Sequence, residues 1–170
     1  MSDSEFLMRY TPDYQREIAE DADGCFFGSY PTLSEVRRDY GREIAIAWLV
    51  PQLTNLSEYC GARDKMTEAQ MEECAYMIVT EYHHLKISEL MLFFHRFKAG
   101  RYGKRFFGAV DPLAILEALG SFIQERSEAI SRRETARVLA RMDEARRNAV
   151  TYEEYIRRHG RVETTGEDEP

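Results

Sequence analysis

The sequence predicts an all-α protein, a compact bundle of about six helices, and three observations carry that prediction. Apolar residues recur at three- and four-residue spacing in several segments, which is the signature of a core-facing helix stripe. Helix-capping residue pairs stand directly ahead of those segments. No segment shows sustained two-residue alternation of the kind a half-buried strand needs. With 170 residues, of which 44% are hydrophobic and 31% charged, the chain is long enough to bury a core without disulfide staples.

Each element follows from local chemistry. The polar first ten residues are expected to fray. Thr11-Pro12 suits the start of a short helix, Thr11 as N-cap and Pro12 at the first helical position, ending by Asp23-Gly24. Cys25 to Pro31 reads as an irregular aromatic connector. Thr32 and Glu35 fit a capping box, and the helix behind them is expected to reach Val50, burying Val36, Tyr40, Ile44, Ala47 and Trp48. Gly41 weakens that helix and Pro51 ends or kinks it. A second short helix carries Leu53, Leu56, Tyr59 and Cys60 up to Gly61.

Thr67 and Gln70 form another capping box, with Met66 and Met71 at the staple positions on either side of it. Met71, Cys74, Ala75, Ile78, Val79 and Tyr82 then trace one apolar stripe. Ser88 is expected to cap the next helix, with Ile87 and Leu92 as its staple. The run Leu90 to Phe94 implies burial on nearly all sides, and Gly100 ends the helix. Asp111-Pro112 opens the longest helix, stapled by Val110 and Ile115. Past Ser131 its apolar stripe thins to Val138, Leu139 and Met142 among arginines. Thr151 caps a last short helix that fades near Gly160. The resulting organisation is a flexible start (1–10), a helical domain (11–130), a charged helical extension (131–160) and an acidic, disordered tail (161–170).

Charge is unevenly placed. The net value is −7, and the first 35 residues hold eight acids against two arginines. Between His83 and Val110 the balance reverses, Lys86, Arg96, Lys98, Arg101, Lys104 and Arg105 facing only Glu89. This block is also aromatic and punctuated by Gly100, Gly103 and Gly108, which makes His95 to Gly108 the candidate binding segment. Lysine and arginine attract phosphates, and exposed aromatics stack on bases. Arg96, Lys98, Arg101, Lys104 and Arg105 are the candidate phosphate contacts, and Tyr102 and Phe107 the candidate stacking groups. The alternative for the same segment is that its aromatics pack in the core while its cations solvate a loop, or dock a protein. A brief hairpin over Tyr102 to Phe107 is also compatible with the flanking glycines.

Several chemistries lack support. Gly103-Lys104 is followed by Arg105, not the Ser or Thr of a phosphate-binding loop. Glu81-x-x-His84 is a di-iron spacing without a second copy, and the cysteines form no C-x-x-C pair. His83 and His84 read as helix-end histidines near a favourable dipole. The apolar Leu90–Phe94 run makes a poor DNA-reading helix. No nucleophile–base arrangement is anchored in the sequence, so no enzyme activity, metal or cofactor is expected. Three widely spaced cysteines, no signal-peptide pattern and no long apolar window point to a cytoplasmic protein without membrane contact.

The run Glu81-Tyr82-His83-His84-Leu85-Lys86-Ile87-Ser88-Glu89-Leu90, continuing through Phe93–Gly103 to Asp111-Pro112, resembles a family of small helical proteins encoded by Bacteroidota conjugative elements and prophages. The likeness spans roughly Tyr30 to Ile130, with Tyr40-Gly41 and Trp48-Leu49-Val50-Pro51 included. Where relatives carry a tyrosine after the first aromatic that follows the basic pair, this chain has Phe106-Phe107. The arginine-rich part after Ser131 lies outside it. The resemblance implies a role in DNA replication, transfer or maintenance of such elements. The expected partners are therefore nucleic acid, single strands in preference, or a replisome protein. The rival expectation is a protein-interaction or host-interference module without nucleic-acid contact.

Overall fold

The computed structural model describes residues 1–106 and 108–160. Among these residues there are nine α-helices and no strand, so the protein is all-α. The chain divides into two compact units, one covering Met1–Ile130 and a second beginning at Ser131. The acidic tail 161–170 lies outside the described residues.

The excess over six helices arises where local signals outweighed the coarse reading. The first ten residues hold α1 (Asp3–Arg9), because Ser2 and Glu5 are themselves a capping box: the Ser2 N–H donates to the Glu5 carboxylate at 2.7 Å and the Glu5 N–H to the Ser2 hydroxyl at 3.3 Å. α1 buries Phe6 completely, its ring stacked on Tyr40 at 5.1 Å, so this segment is part of the core. A 3₁₀ turn at Pro12–Tyr14 leads into α2 (Gln15–Ala19), with Thr11 extended at the cap position. The expected irregular connector is partly helical: α3 (Ala22–Phe27) is capped by Asp21, whose carboxylate accepts from the Gly24 N–H, and buries Cys25 and Phe26.

The Thr32–Glu35 capping box forms as expected and opens α4 (Leu33–Tyr40). That helix does not continue to Val50. Gly41 adopts φ +94°, ends α4 and starts α5 (Arg42–Tyr59) in a new phase. The reset buries Ala45 and Leu49 beside Trp48 and leaves Ala47 exposed. Pro51 neither ends nor splits α5. Pro51 and Ala47 both lie on the exposed face, so the carbonyl deprived of its partner is open to water.

α6 (Glu68–Glu81) begins at the Thr67–Gln70 capping box and buries Cys74, Ala75, Ile78 and Val79. α7 (Ile87–Lys98) starts at Lys86, not Ser88: the Glu89 carboxylate accepts from the Lys86 N–H at 2.8 Å. The Ser88 hydroxyl instead donates to the Cys25 carbonyl, tying α7 to α3. Leu90 to Phe94 are buried, as the apolar run predicts. Antiparallel pairing of Thr32 with Lys86 docks the start of α4 on that of α7.

α8 (Pro112–Asn148) opens with the Asp111 carboxylate accepting from the Leu113 N–H, and Val110 and Ile115 are buried as the staple. It contributes Ile115, Ala118, Leu119 and Phe122 to the core of the first unit. In the second unit every side chain from Ser131 to Val150 is exposed, and α9 (Tyr152–His159) follows its Thr151 cap.

Candidate functional site

The segment from His95 onward is shaped by how α7 stops. Gly100 takes φ +77°, its N–H donates to the Phe97 carbonyl at 2.9 Å, and the Arg101 N–H reaches back to the Arg96 carbonyl at 3.1 Å. This pair of bonds is a Schellman motif, which places the residue after the glycine over the third-last helical residue. Arg101 and Arg96 are therefore neighbours, and one acid of α8 serves both. Glu125 accepts from Arg96 at 3.0 Å and from Arg101 at 2.9 Å. The Arg96 guanidinium also lies over the Phe26 ring.

No hairpin forms over Tyr102–Phe106, and Phe107 lies outside the described residues. The segment is pinned at its far end, where the Asp64 N–H donates to the Gly108 carbonyl and the Val110 N–H to the Asp64 carbonyl. Tyr102 is half-buried against Phe93 and Phe97, and Phe106 stacks on Phe97 at 6.0 Å. The Tyr102 hydroxyl is buried near Arg96, and burial pushes its ionisation well above the usual tyrosine range. This aromatic belongs to the core.

The remaining cations face a different way. Lys98 donates to the Asn55 side-chain oxygen at 2.7 Å and lies against the ring of Tyr59, itself 63% exposed. Lys98 and Tyr59 together form a wall shared by two clefts. One, of about 520 Å³, is lined by Asp13, Gln15, Arg16, Asn55 and His95. The other, of about 260 Å³, is lined by Cys60, Phe97, Gly100, Lys104, Arg105 and Phe106. Lys104 pairs with Glu117 of α8, while Arg105 is exposed and makes no hydrogen bond or ion pair among the described residues. Burial holds the Lys98 ammonium below its ordinary value, with nearby Arg16 adding to the effect. Burial likewise lowers the His95 imidazole, reinforced by Lys98, Arg16 and Arg96.

The seven candidate residues thus separate. Lys98, Lys104 and Arg105 line one groove, Arg96 and Arg101 are committed to Glu125, Tyr102 packs inside, and Phe107 is not described. Sequence reasoning missed Arg16 and Tyr59, which stand well before the basic block in the chain and are joined to it only by folding. The lone free-standing signal for Tyr59 was its place four residues after Asn55, which puts both on one helix face.

Elsewhere the structure adds little chemistry. Cys25 and Cys74 are buried, their thiols pushed up to about 11. Among the described residues no three metal-ligating side chains cluster, and no helix is long and apolar enough to cross a membrane.

No curated protein and no solved structure matches the chain. A family of unknown function (DUF6633) matches residues 65–165. The match takes in α6, α7 and the basic segment. It also extends through the arginine-rich stretch after Ser131, which the resemblance from sequence had left outside. With more than half of its length matched, this chain belongs to the DUF6633 family.

Proposed function

We propose that this chain is a non-catalytic accessory protein of mobile-element DNA metabolism that holds nucleic acid, single strands in preference, in the groove around Lys98 and Tyr59. The observation that carries the reading is that the two clefts adjoin at Lys98 and Tyr59. Arg16 lines one cleft, Lys104 and Arg105 line the other, and Lys98 and an exposed tyrosine ring line both. Spaced cations with an exposed ring suit a flexible polyanion whose bases can stack without sequence readout. The Lys104–Glu117 pair does not oppose this, because the Glu117 side chain is 68% exposed and such a surface pair is worth about 0–1 kcal/mol.

Fluorescence anisotropy with a labelled single-stranded oligonucleotide tests the reading. Binding should fall with salt at a log–log slope of about −2 to −3, each single-strand phosphate contact weighing about 0.7. Lys104→Glu with Arg105→Glu should abolish binding, whereas Arg101→Ala should leave it nearly intact, because Arg101 is held by Glu125. Salt-independent binding, or none to DNA or RNA at low salt, would sink the proposal.

A protein-docking role is the second reading, and one surface favours it. Ile46, Ala47, Val50 and Pro51 make a shallow apolar depression rimmed by Glu43 and Glu72. Recovery of one stoichiometric partner that survives nuclease treatment, and is lost on Val50→Glu, would select it.

A further inference from the structure

The larger cleft carries more detail than a charged groove requires. Its floor belongs to a buried polar chain whose orientation is determined at every link. The Tyr10 carbonyl accepts from the Trp48 indole N–H at 2.8 Å and from the Gln52 amide at 2.9 Å, which occupies both of its lone pairs. The Gln52 oxygen is left to accept, and it receives the Gln15 amide N–H. Gln15 is therefore committed as a donor on one side. Its own oxygen is buried with no donor in reach, although the residue is only 1% exposed. Unmatched buried acceptors are uncommon in native proteins and call for a specific explanation. Here the residue lines a cleft that also presents Asp13, Arg16, His95, Lys98 and the exposed Tyr59.

We propose that this cleft is a mononucleotide subsite: Arg16, His95 and Lys98 hold a phosphate, Tyr59 stacks on the base, and the Gln15 oxygen, uncovered by a tilt of its amide, accepts a hydrogen bond from a ligand N–H or O–H. Three requirements meet in one ligand class. The cations ask for an anion, the exposed ring for a flat π-face, and the orphan oxygen for a donor. A free phosphate satisfies only the first. The cleft's volume of about 520 Å³ lies within the range of small-molecule sites and accommodates a nucleoside monophosphate. Asn55 contributes to orientation, because its oxygen is taken by Lys98 and its amide nitrogen is the group left to donate. The inference rests on reading the groove as a nucleic-acid site, and it adds that one unit of the strand is gripped here while neighbouring phosphates run past Lys104 and Arg105.

Isothermal calorimetry on the full chain, with adenosine 5′-monophosphate, ribose 5-phosphate and inorganic phosphate as separate probes, decides the matter. Adenosine monophosphate should bind one to one and about tenfold or more tighter than ribose 5-phosphate, the difference being the stacked base. Arg16→Glu should weaken it about tenfold or more, whereas Arg38→Glu, a charge reversal on α4, should change it less than about twofold. Tyr59→Ala should bring adenosine monophosphate down to the affinity of ribose 5-phosphate. Both Arg16 and Tyr59 are exposed, so these variants keep the fold, and circular dichroism checks that they do. Equal affinity for adenosine monophosphate and inorganic phosphate would overturn the subsite and leave a plain anion site. No binding of the mononucleotide, in protein that still binds the oligonucleotide, would overturn the subsite and spare the groove. Loss of both would remove both.

Discussion

Glu125 decides what two cations of the basic block do. Its carboxylate is mostly buried and collects Arg96, whose side chain is 17% exposed, and the more open Arg101. The pairing converts two candidate phosphate contacts into a clasp between the end of α7 and the middle of α8. Glu125→Gln should lower stability by about 1–2 kcal/mol, because the half-buried Arg96 loses its charged partner while one neutral acceptor remains. A urea midpoint shift reads this directly, and an unchanged midpoint would mean that the clasp contributes nothing. The cations themselves were visible in the sequence. Their division into clasp and groove was not, since the acids that neutralise them stand 13 to 29 positions away.

At the scale of elements, local chemistry carried most of the information. The boxes at Thr32–Glu35 and Thr67–Gln70, and the Asp111-Pro112 start, appear where the residues predict them, because a cap is satisfied within four residues of itself. Ser2–Glu5 was equally legible and was outweighed by its position near the chain start. The Ser88 start failed because its hydroxyl found a carbonyl on another helix and the Glu89 carboxylate capped the turn from the third position. Glycines test the same logic. Gly100→Ala should destabilise the protein by about 1–2 kcal/mol, since an added Cβ meets nothing within 4 Å and the whole cost is the left-handed backbone at φ +77°. Gly120→Ala, equally unobstructed but in the ordinary helical conformation of α8, should instead stabilise by about 0.5–1 kcal/mol. Thermal melts of the two variants should move in opposite directions.

For the molecule as a whole, the shifted histidines and carboxylates make stability below neutral pH a function of pH with one sign. Burial lowers both His84 and His95 below the ordinary histidine value of 6.5. The unfolded chain then binds their protons first, so stability falls as pH drops through about 6.5 toward the lower folded values. Hydrogen bonds from the capping serine and threonine lower Glu5 and Glu35, and the bond from Arg38 lowers Asp39. Their contribution is present above the ordinary carboxylate range and is lost as pH falls below it. Urea midpoints should therefore decline from neutral pH downward. His84→Gln with His95→Gln should flatten the upper part of that decline and leave the acidic part in place. A midpoint that rises between pH 7 and 5.5 would contradict the assignment.

The all-α class, the capped helix starts at Thr32, Thr67 and Asp111 and the buried Leu90–Phe94 run were determined by the sequence alone. Each depends on a residue and its neighbours within about one helical turn, or on a periodicity that those neighbours share. The phase of α5 after Gly41, the burial of Phe6 and Tyr102, and the capture of Arg96 and Arg101 by Glu125 were decided only by tertiary structure. So was the meeting of Arg16 and Tyr59 with Lys98. These depend on which faces pack, and a cation's fate in the fold is set by the acids and rings that distant segments bring to it.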